Sequence, residues 1–264
     1  MLKQRTITSI LMFMIFCIVL FGLPTLYFTI AGFLLMATAM YELGKMYKFT
    51  ITEQSALIAF AAIIGFGTYF SDYDSSQVVR FISVITWCFI APAILILQPK
   101  NFTKVSVFLL ALTIFVPTFY SLFMLKGILG SWQLLSIFMI AWIADTGAYF
   151  VGKKFGKHKL AINISPGKTL EGALGGLLFV LIYLSVLKYY NLTIYLYSYF
   201  AVLKFGLILT TVCILGDLIE SWFKRVANVK DSGKILPGHG GIFDRIDGLV
   251  AVIAIAFALI RGLI

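Results

Sequence analysis

The chain has 264 residues, 61% of them hydrophobic and 12% charged, with a mean hydropathy of +1.01 and a formal net charge of +10. Soluble domains carry about 25% charged residues, so this composition excludes a free-standing soluble domain. The basic excess lies in short segments between apolar runs, not on one polar face interleaved with aromatics, which argues against nucleic acid and for anionic headgroups and a phosphorylated substrate.

Taken in order, the chain opens with Lys3 and Arg5 before an apolar run that imitates a secretory leader. No polar region with a small-residue cleavage site follows, and Gly22-Leu23-Pro24 leads straight into the next run, so we read a retained first helix. Apolar runs of about 17 to 25 residues cross roughly 30 Å of hydrocarbon. They recur near 7–22, 25–43, 54–70, 78–97, 104–124, 131–150, 171–189, 198–224 and 247–263. This predicts an all-α, polytopic membrane protein of about nine transmembrane helices. It forms one membrane domain, 1–264, with packing helices in 1–125 and the chemistry-bearing helices and loops in 126–264. The first two spans turn at Pro24, and a re-entrant arrangement stays open there. Cys17, Cys88 and Cys213 sit inside apolar runs, unpaired and without metal-ligand spacing, as small buried hydrophobes do.

Orientation follows from where Lys and Arg collect. With the amino terminus in the cytoplasm, sixteen of the 21 fall on inner segments. Only Arg80, Lys126, Lys188, Lys204 and Arg261 fall outside. A cell-membrane protein with a cytoplasmic amino terminus is therefore expected, its two polar segments, near 145–172 and 217–247, opening together on the cytoplasmic side.

The second of these segments holds five of the eleven carboxylates. Charge costs about 2.5–3.5 kcal/mol per residue at a bilayer centre, so such a concentration beside apolar runs requires a task. Continued as a helix, Asp217, Ser221 and Lys224 lie at i, i+4 and i+7 on one face, with Glu220 beside them. Asp244 and Asp247 share a face at the start of the last span, where a helix amino terminus favours anions. These readings predict a cage of hard oxygens from Asp217, Asp244 and Asp247 that suits magnesium. Pro237-Gly238-His239-Gly240-Gly241 can turn sharply and present N–H groups to a phosphate, with Lys224, Arg225, Lys230, Lys234 and Arg245 around it. His239 reads as a turn or hydrogen-bonding residue, since no second nitrogen ligand accompanies it. The inventory is that of phosphoryl or nucleotidyl transfer.

In the first segment, Asp145 lies near the inner end of span six. Ser165-Pro166 reads as a helix entry that puts Lys168, Thr169 and Glu171 in the first turn of span seven. Gly167-Lys168-Thr169 is not a P-loop, because Ile162 stands where that pattern needs glycine and the buried strand that should precede it is absent.

The pattern Ser221-x-x-Lys224-Arg225, Lys230-Asp231, Pro237-x-His239-Gly240-Gly241-x-x-Asp244-Arg245-x-Asp247 resembles the signature of the phosphatidate cytidylyltransferase (CDP-diacylglycerol synthase) family. Asp145-Thr146-Gly147-Ala148-Tyr149 and Ser165-Pro166-x-Lys168-Thr169-x-Glu171-Gly172 resemble its second shared region. The resemblance implies a dimeric integral membrane enzyme that condenses phosphatidate with CTP to give CDP-diacylglycerol and pyrophosphate. It implies that Asp217, Asp244 and Asp247 hold a divalent metal, magnesium, with potassium beside it, and that Lys224, Arg225, Lys230 and Arg245 surround phosphates. Asp145, Ser165, Lys168, Thr169 and Glu171 would complete the cavity. Ser221 is expected to hydrogen-bond and not to act as a nucleophile. Two other classes stay open at this point: a transporter for a phosphorylated solute, and a CTP-dependent lipid-alcohol kinase.

Overall fold

The computed structural model describes residues 2–70, 75–236 and 240–260. Helix α1, Leu2–Cys17, runs into a π turn at Ile18–Gly22. Then come α2, Thr25–Met46, and α3, Ile51–Phe70. Helix α4, Ser76–Ile85, passes through a π turn at Thr86–Ile90 into α5, Ala91–Leu97. Pro92 in the first turn of α5 has no N–H to give, and a π turn is one way a helix absorbs such a gap. Helix α6 spans Lys104–Phe155, and after a short hairpin of β1, Lys159–Ala161, and β2, Ser165–Thr169, come α7, Leu170–Tyr189, α8, Tyr199–Val226, and α9, Phe243–Leu259.

Six helices among the described residues are long and apolar enough to cross a membrane. Large side chains such as Phe81, Ile63, Leu174 and Phe200 are exposed along them, as lipid-facing surfaces require. Helix α6 has 52 residues, about 78 Å at 1.5 Å per residue, which is far more than a bilayer needs. Gly130, at φ 73° and ψ 178°, breaks it into two arms. Only glycine adopts that φ freely. The predicted interruption between spans five and six falls here.

The helix ends are set by local chemistry. Thr103, Thr169 and Ser198 accept N–H bonds from Ser106, Gly172 and Ala201 and so cap α6, α7 and α8. Lys48, Asn191 and Asn228 adopt positive φ just past α2, α7 and α8, and Phe49, Leu192 and Val229 donate back to Gly44, Leu187 and Lys224, the closure of a helix by a left-handed residue.

Helix α9 is the hub. It packs on α2, α4, α6 and α8, and Val250 to Phe257 are buried all round. A helix apolar on every side belongs at the centre of a bundle, and its first turn is therefore buried too. Connections between helices meet at one end of the bundle. There Tyr47 donates to the Phe223 carbonyl (3.2 Å), Phe102 stacks edge-on against Trp222, Lys104 pairs with Glu53 (2.8 Å), and Arg225 donates to the Ile164 carbonyl (3.1 Å). At the other end Lys126 donates to the Leu20 carbonyl and Tyr195 bonds Ser136.

One expectation is corrected. Ser165-Pro166 does not enter a helix: Ser165–Thr169 is a strand paired antiparallel with Lys159–Ala161, α7 starts at Leu170, and of Lys168, Thr169 and Glu171 only Glu171 lies in its first turn. Thr169, not Ser165, does the capping. Proline is acceptable in so short a hairpin because neither strand is central.

Candidate active site

A cavity of about 480 Å³ opens between α6, α7, α8 and the hairpin, lined among others by Asp145, Lys153, Ser165, Lys168, Thr169 and Asp217. Four of the expected first-segment residues thus meet Asp217 in one space. Lys168 Nζ lies 2.6 Å from Asp217 Oδ2. Ser221 Oγ donates to Asp217 Oδ1 at 3.4 Å, the predicted i, i+4 relation. Small residues make the walls approach closely. A Cβ on Gly176 would meet the Ala144 carbonyl at 2.6 Å, and one on Gly172 the Ala148 carbonyl at 2.9 Å. This is small-residue packing of membrane helices, and it holds α7 against α6.

A second cluster forms where α8 meets the start of α9. Lys224 Nζ stands 2.7 Å from both Glu220 Oε2 and Asp244 Oδ1. Asp244 Oδ2 accepts from the Ser232 N–H (2.9 Å), the Ser232 hydroxyl (3.0 Å) and the Gly241 N–H (2.8 Å). Gly240 has φ +85°, and a Cβ there would lie 2.8 Å from Asp244 Oδ2, so the turn needs glycine on both counts. Asp247 lies between the clusters, within electrostatic reach of Asp145, Asp217 and Lys168 on one side and Glu220 on the other. Its Oδ1 accepts from the Gly248 N–H at 2.8 Å.

The expected three-aspartate cage does not form. Among the described residues no group of three His, Cys, Asp or Glu side chains is placed to hold a metal ion. The physical reason is that Asp244 faces Lys224, Ser232 and Gly241, which engage both its oxygens, while Asp217 pairs with Lys168 and Asp247 accepts from the Gly248 N–H. Asp217 and Asp247 nonetheless fit magnesium, which takes one or two carboxylates and completes its shell with water and phosphate oxygens. Asp217 already draws one positive charge, the Lys168 ammonium, to that spot.

Other expected residues serve differently. Glu171 does not line the cavity. Its carboxylate accepts from the Lys157 and His158 N–H groups and lies 2.6 Å from His158 Nδ1, so it pins the loop before β1. Arg225 donates to the Ile164 carbonyl just before β2, while Lys230, Asp231 and Arg245 are exposed. His239 lies outside the described residues.

Sequence reasoning missed Glu42. This side chain on α2 is 1% exposed. It accepts from Ile242 N–H (3.0 Å), Phe243 N–H (2.9 Å) and the Ser232 hydroxyl (3.1 Å), almost 200 residues along the chain. The available signal was a carboxylate inside the predicted span 25–43, which lipid penalises unless it is occupied.

Apolar helices of spanning length around a cavity lined by both cationic and acidic side chains define a multi-pass membrane protein with a charged internal site. A model of the cytidylyltransferase family matches residues 3–263, and this chain belongs to that family. It is 36% identical over 257 residues to a phosphatidate cytidylyltransferase of Staphylococcus haemolyticus (strain JCSC1435), covering 96% of each chain. It is 35% identical over 258 residues to proteins of the same name from Staphylococcus aureus (strain COL) and Staphylococcus epidermidis (strain ATCC 12228 / FDA PCI 1200), again covering 96% of each.

Proposed function

We propose that this chain is a phosphatidate cytidylyltransferase. Phosphatidate attacks the α-phosphorus of CTP, a phosphate–oxygen bond forms as another breaks, and CDP-diacylglycerol and pyrophosphate result. The observation that carries the reading is the cavity in which Lys168 and Asp217 face Asp145, Ser165 and Thr169, in a chain of this family. A phosphomonoester, with a second pKa of about 6, is already anionic near neutrality, so no strong base is needed and no covalent nucleophile. Ser221 orients Asp217 and does not attack. The barrier is repulsion between two polyanions. Lys153 and Lys168 lower it inside the cavity and Lys224 beside it, while Arg225, Lys230 and Arg245 do so at its rim.

The same proposal includes magnesium, with potassium beside it, held through Asp217 and Asp247. When bound, the divalent ion supplies Lewis-acid charge at the triphosphate. Asp244 then acts by fixing Lys224 and the 240–241 turn. It also includes about nine spans, with α6 counted as two and α1 and α9 as one each. The amino terminus and the site face the cytoplasm, supported by the sixteen inner cations. Homodimerisation enters through the family resemblance.

The test is purified protein with radiolabelled phosphatidate, each nucleoside triphosphate in turn, and magnesium. Pyrophosphate release with a liponucleotide, in CTP above all, is the expected outcome. Phosphate transfer onto a lipid alcohol would identify a kinase instead, and unchanged solute crossing liposomes a transporter.

A further inference from the structure

The amino-terminal half offers one carboxylate to the site, and the transfer reaction as described gives it no task. Glu42 caps α9 from another helix. Residue Ile242 supplies no side-chain cap of its own, and an uncapped helix start leaves N–H groups such as those of Ile242 and Phe243 in need of partners. Glu42 takes the N–H groups of Ile242 and Phe243 and adds negative charge at the positive end of the helix. The loop is wrapped onto the carboxylate: a Cβ on Gly233 would lie 2.3 Å from Oε1, and one on Gly241 2.5 Å from Oε2. The Ser232 hydroxyl touches both Glu42 Oε2 and Asp244 Oδ2 and accepts from the Asp244 N–H at 3.3 Å. Glu42, Ser232, Asp244 and Lys224 thus form one unbroken line from α2 into the site. The Ser232 hydroxyl and the Ile242 and Phe243 N–H groups that Glu42 accepts from are neutral donors, and a buried charge satisfied in that way holds those donors in place.

We propose that Glu42 is a positioning residue for nucleotidyl transfer: it fixes Ser232, Gly233, Gly241 and the first turn of α9, and with them Asp244 and Asp247, against Lys224 and Asp217. The proposal rests on the cytidylyltransferase reading.

The test compares wild type, Glu42→Gln, Ser232→Ala and, as a control away from the site, Glu53→Gln, all in liposomes. Gln keeps the volume of Glu but turns an amide N–H₂ toward donors. In Glu42→Gln, turnover should fall at least about tenfold, since small misplacements of reacting groups cost that much or more. The magnesium concentration for half-maximal rate should rise at least about fivefold, with KM for phosphatidate within about twofold of wild type. Without substrate, trypsin should cut after the exposed Lys234 several times faster, because the loop has lost its anchor. Ser232→Ala should move every readout the same way by less, and Glu53→Gln none. If Glu42→Gln lowers only the unfolding temperature and leaves magnesium dependence and turnover per folded molecule at wild-type values, the residue is structural and the proposal fails. Should Glu42→Gln not fold, Ser232→Ala decides by the same readouts. A wild type that makes no liponucleotide removes the cytidylyltransferase reading itself, whereas an active wild type with unaltered variants removes only the role of Glu42.

Discussion

Asp244 spends all its acceptor capacity inside the protein, one oxygen on Lys224 and the other on three donors from Ser232 and Gly241. In Asp244→Asn, whichever way the amide turns, an N–H₂ group faces either an ammonium or two backbone N–H groups. A hydrogen bond to a charged group contributes about 1.5–3 kcal/mol, so loss of order is expected around Lys224. We predict turnover at least about a hundredfold lower, with membrane insertion and the remaining helices unchanged. Wild-type turnover in this variant would remove Asp244 from the site. The residue was legible in the sequence because an aspartate beside an apolar run stands out. What it bonds was not, since Ser232 carried no signature and the partners of Asp244 depend on how the turn at Gly240 folds back. Glu42 was hidden more deeply, because its partners are backbone N–H groups that no residue pattern advertises.

Among the elements, the pairing of α8 with α9 governs how near Asp217 comes to Asp247. A Cβ on Gly216 would lie 2.4 Å from the Asp247 carbonyl, and one on Gly248 2.8 Å from the Cys213 sulfur. The helices therefore touch at backbone distance one residue before Asp217 and one after Asp247. Gly216→Ala must push them apart. Overpacking of this kind costs about 1–3 kcal/mol, and the two carboxylates separate with the helices. We predict a lowered unfolding temperature together with at least about a tenfold loss of turnover. Gly127→Ala makes the contrast, because nothing lies within 4 Å of its Cβ and alanine favours a helix by up to about 1 kcal/mol. It should be neutral or stabilising. Equal effects from both would mean that close approach of α8 and α9 is not what matters. Helix existence was readable throughout from apolar runs, but the 159–169 hairpin was not. Ser165-Pro166 offers the chemistry of a helix start, and only pairing with Lys159–Ala161 and the grip of Glu171 on the preceding loop make it extended.

For the whole molecule, what remains to be read is sidedness, and charge and contacts bear on it independently. Besides the start of the chain with Lys3 and Arg5, the inner segments expected from the lysine and arginine distribution are 45–48, 100–104, 153–168 and 224–245. The contacts between Tyr47 and Phe223, Phe102 and Trp222, Arg225 and Ile164, and Glu42 and Ser232 draw those same segments to one end of the bundle. Residues near Leu20, Lys126 and Ser131 meet at the other. Charge bias alone could be satisfied by a misplaced span, but these contacts could not. A chain that inserts with its basic end inward must then present Lys157 and Lys234, both exposed, to the cytosol, and Asn191 to the opposite face. With Cys17, Cys88 and Cys213 replaced, single cysteines at 157, 234 and 191 should divide cleanly. A membrane-impermeant maleimide added to intact cells should label position 191 only, and inside-out vesicles should label 157 and 234 only. Labelling of 157 and 234 from different sides would break the cavity apart. Labelling of both from outside would leave the fold standing but deny the enzyme its cytosolic nucleotide, because a triphosphate does not cross a bilayer unaided.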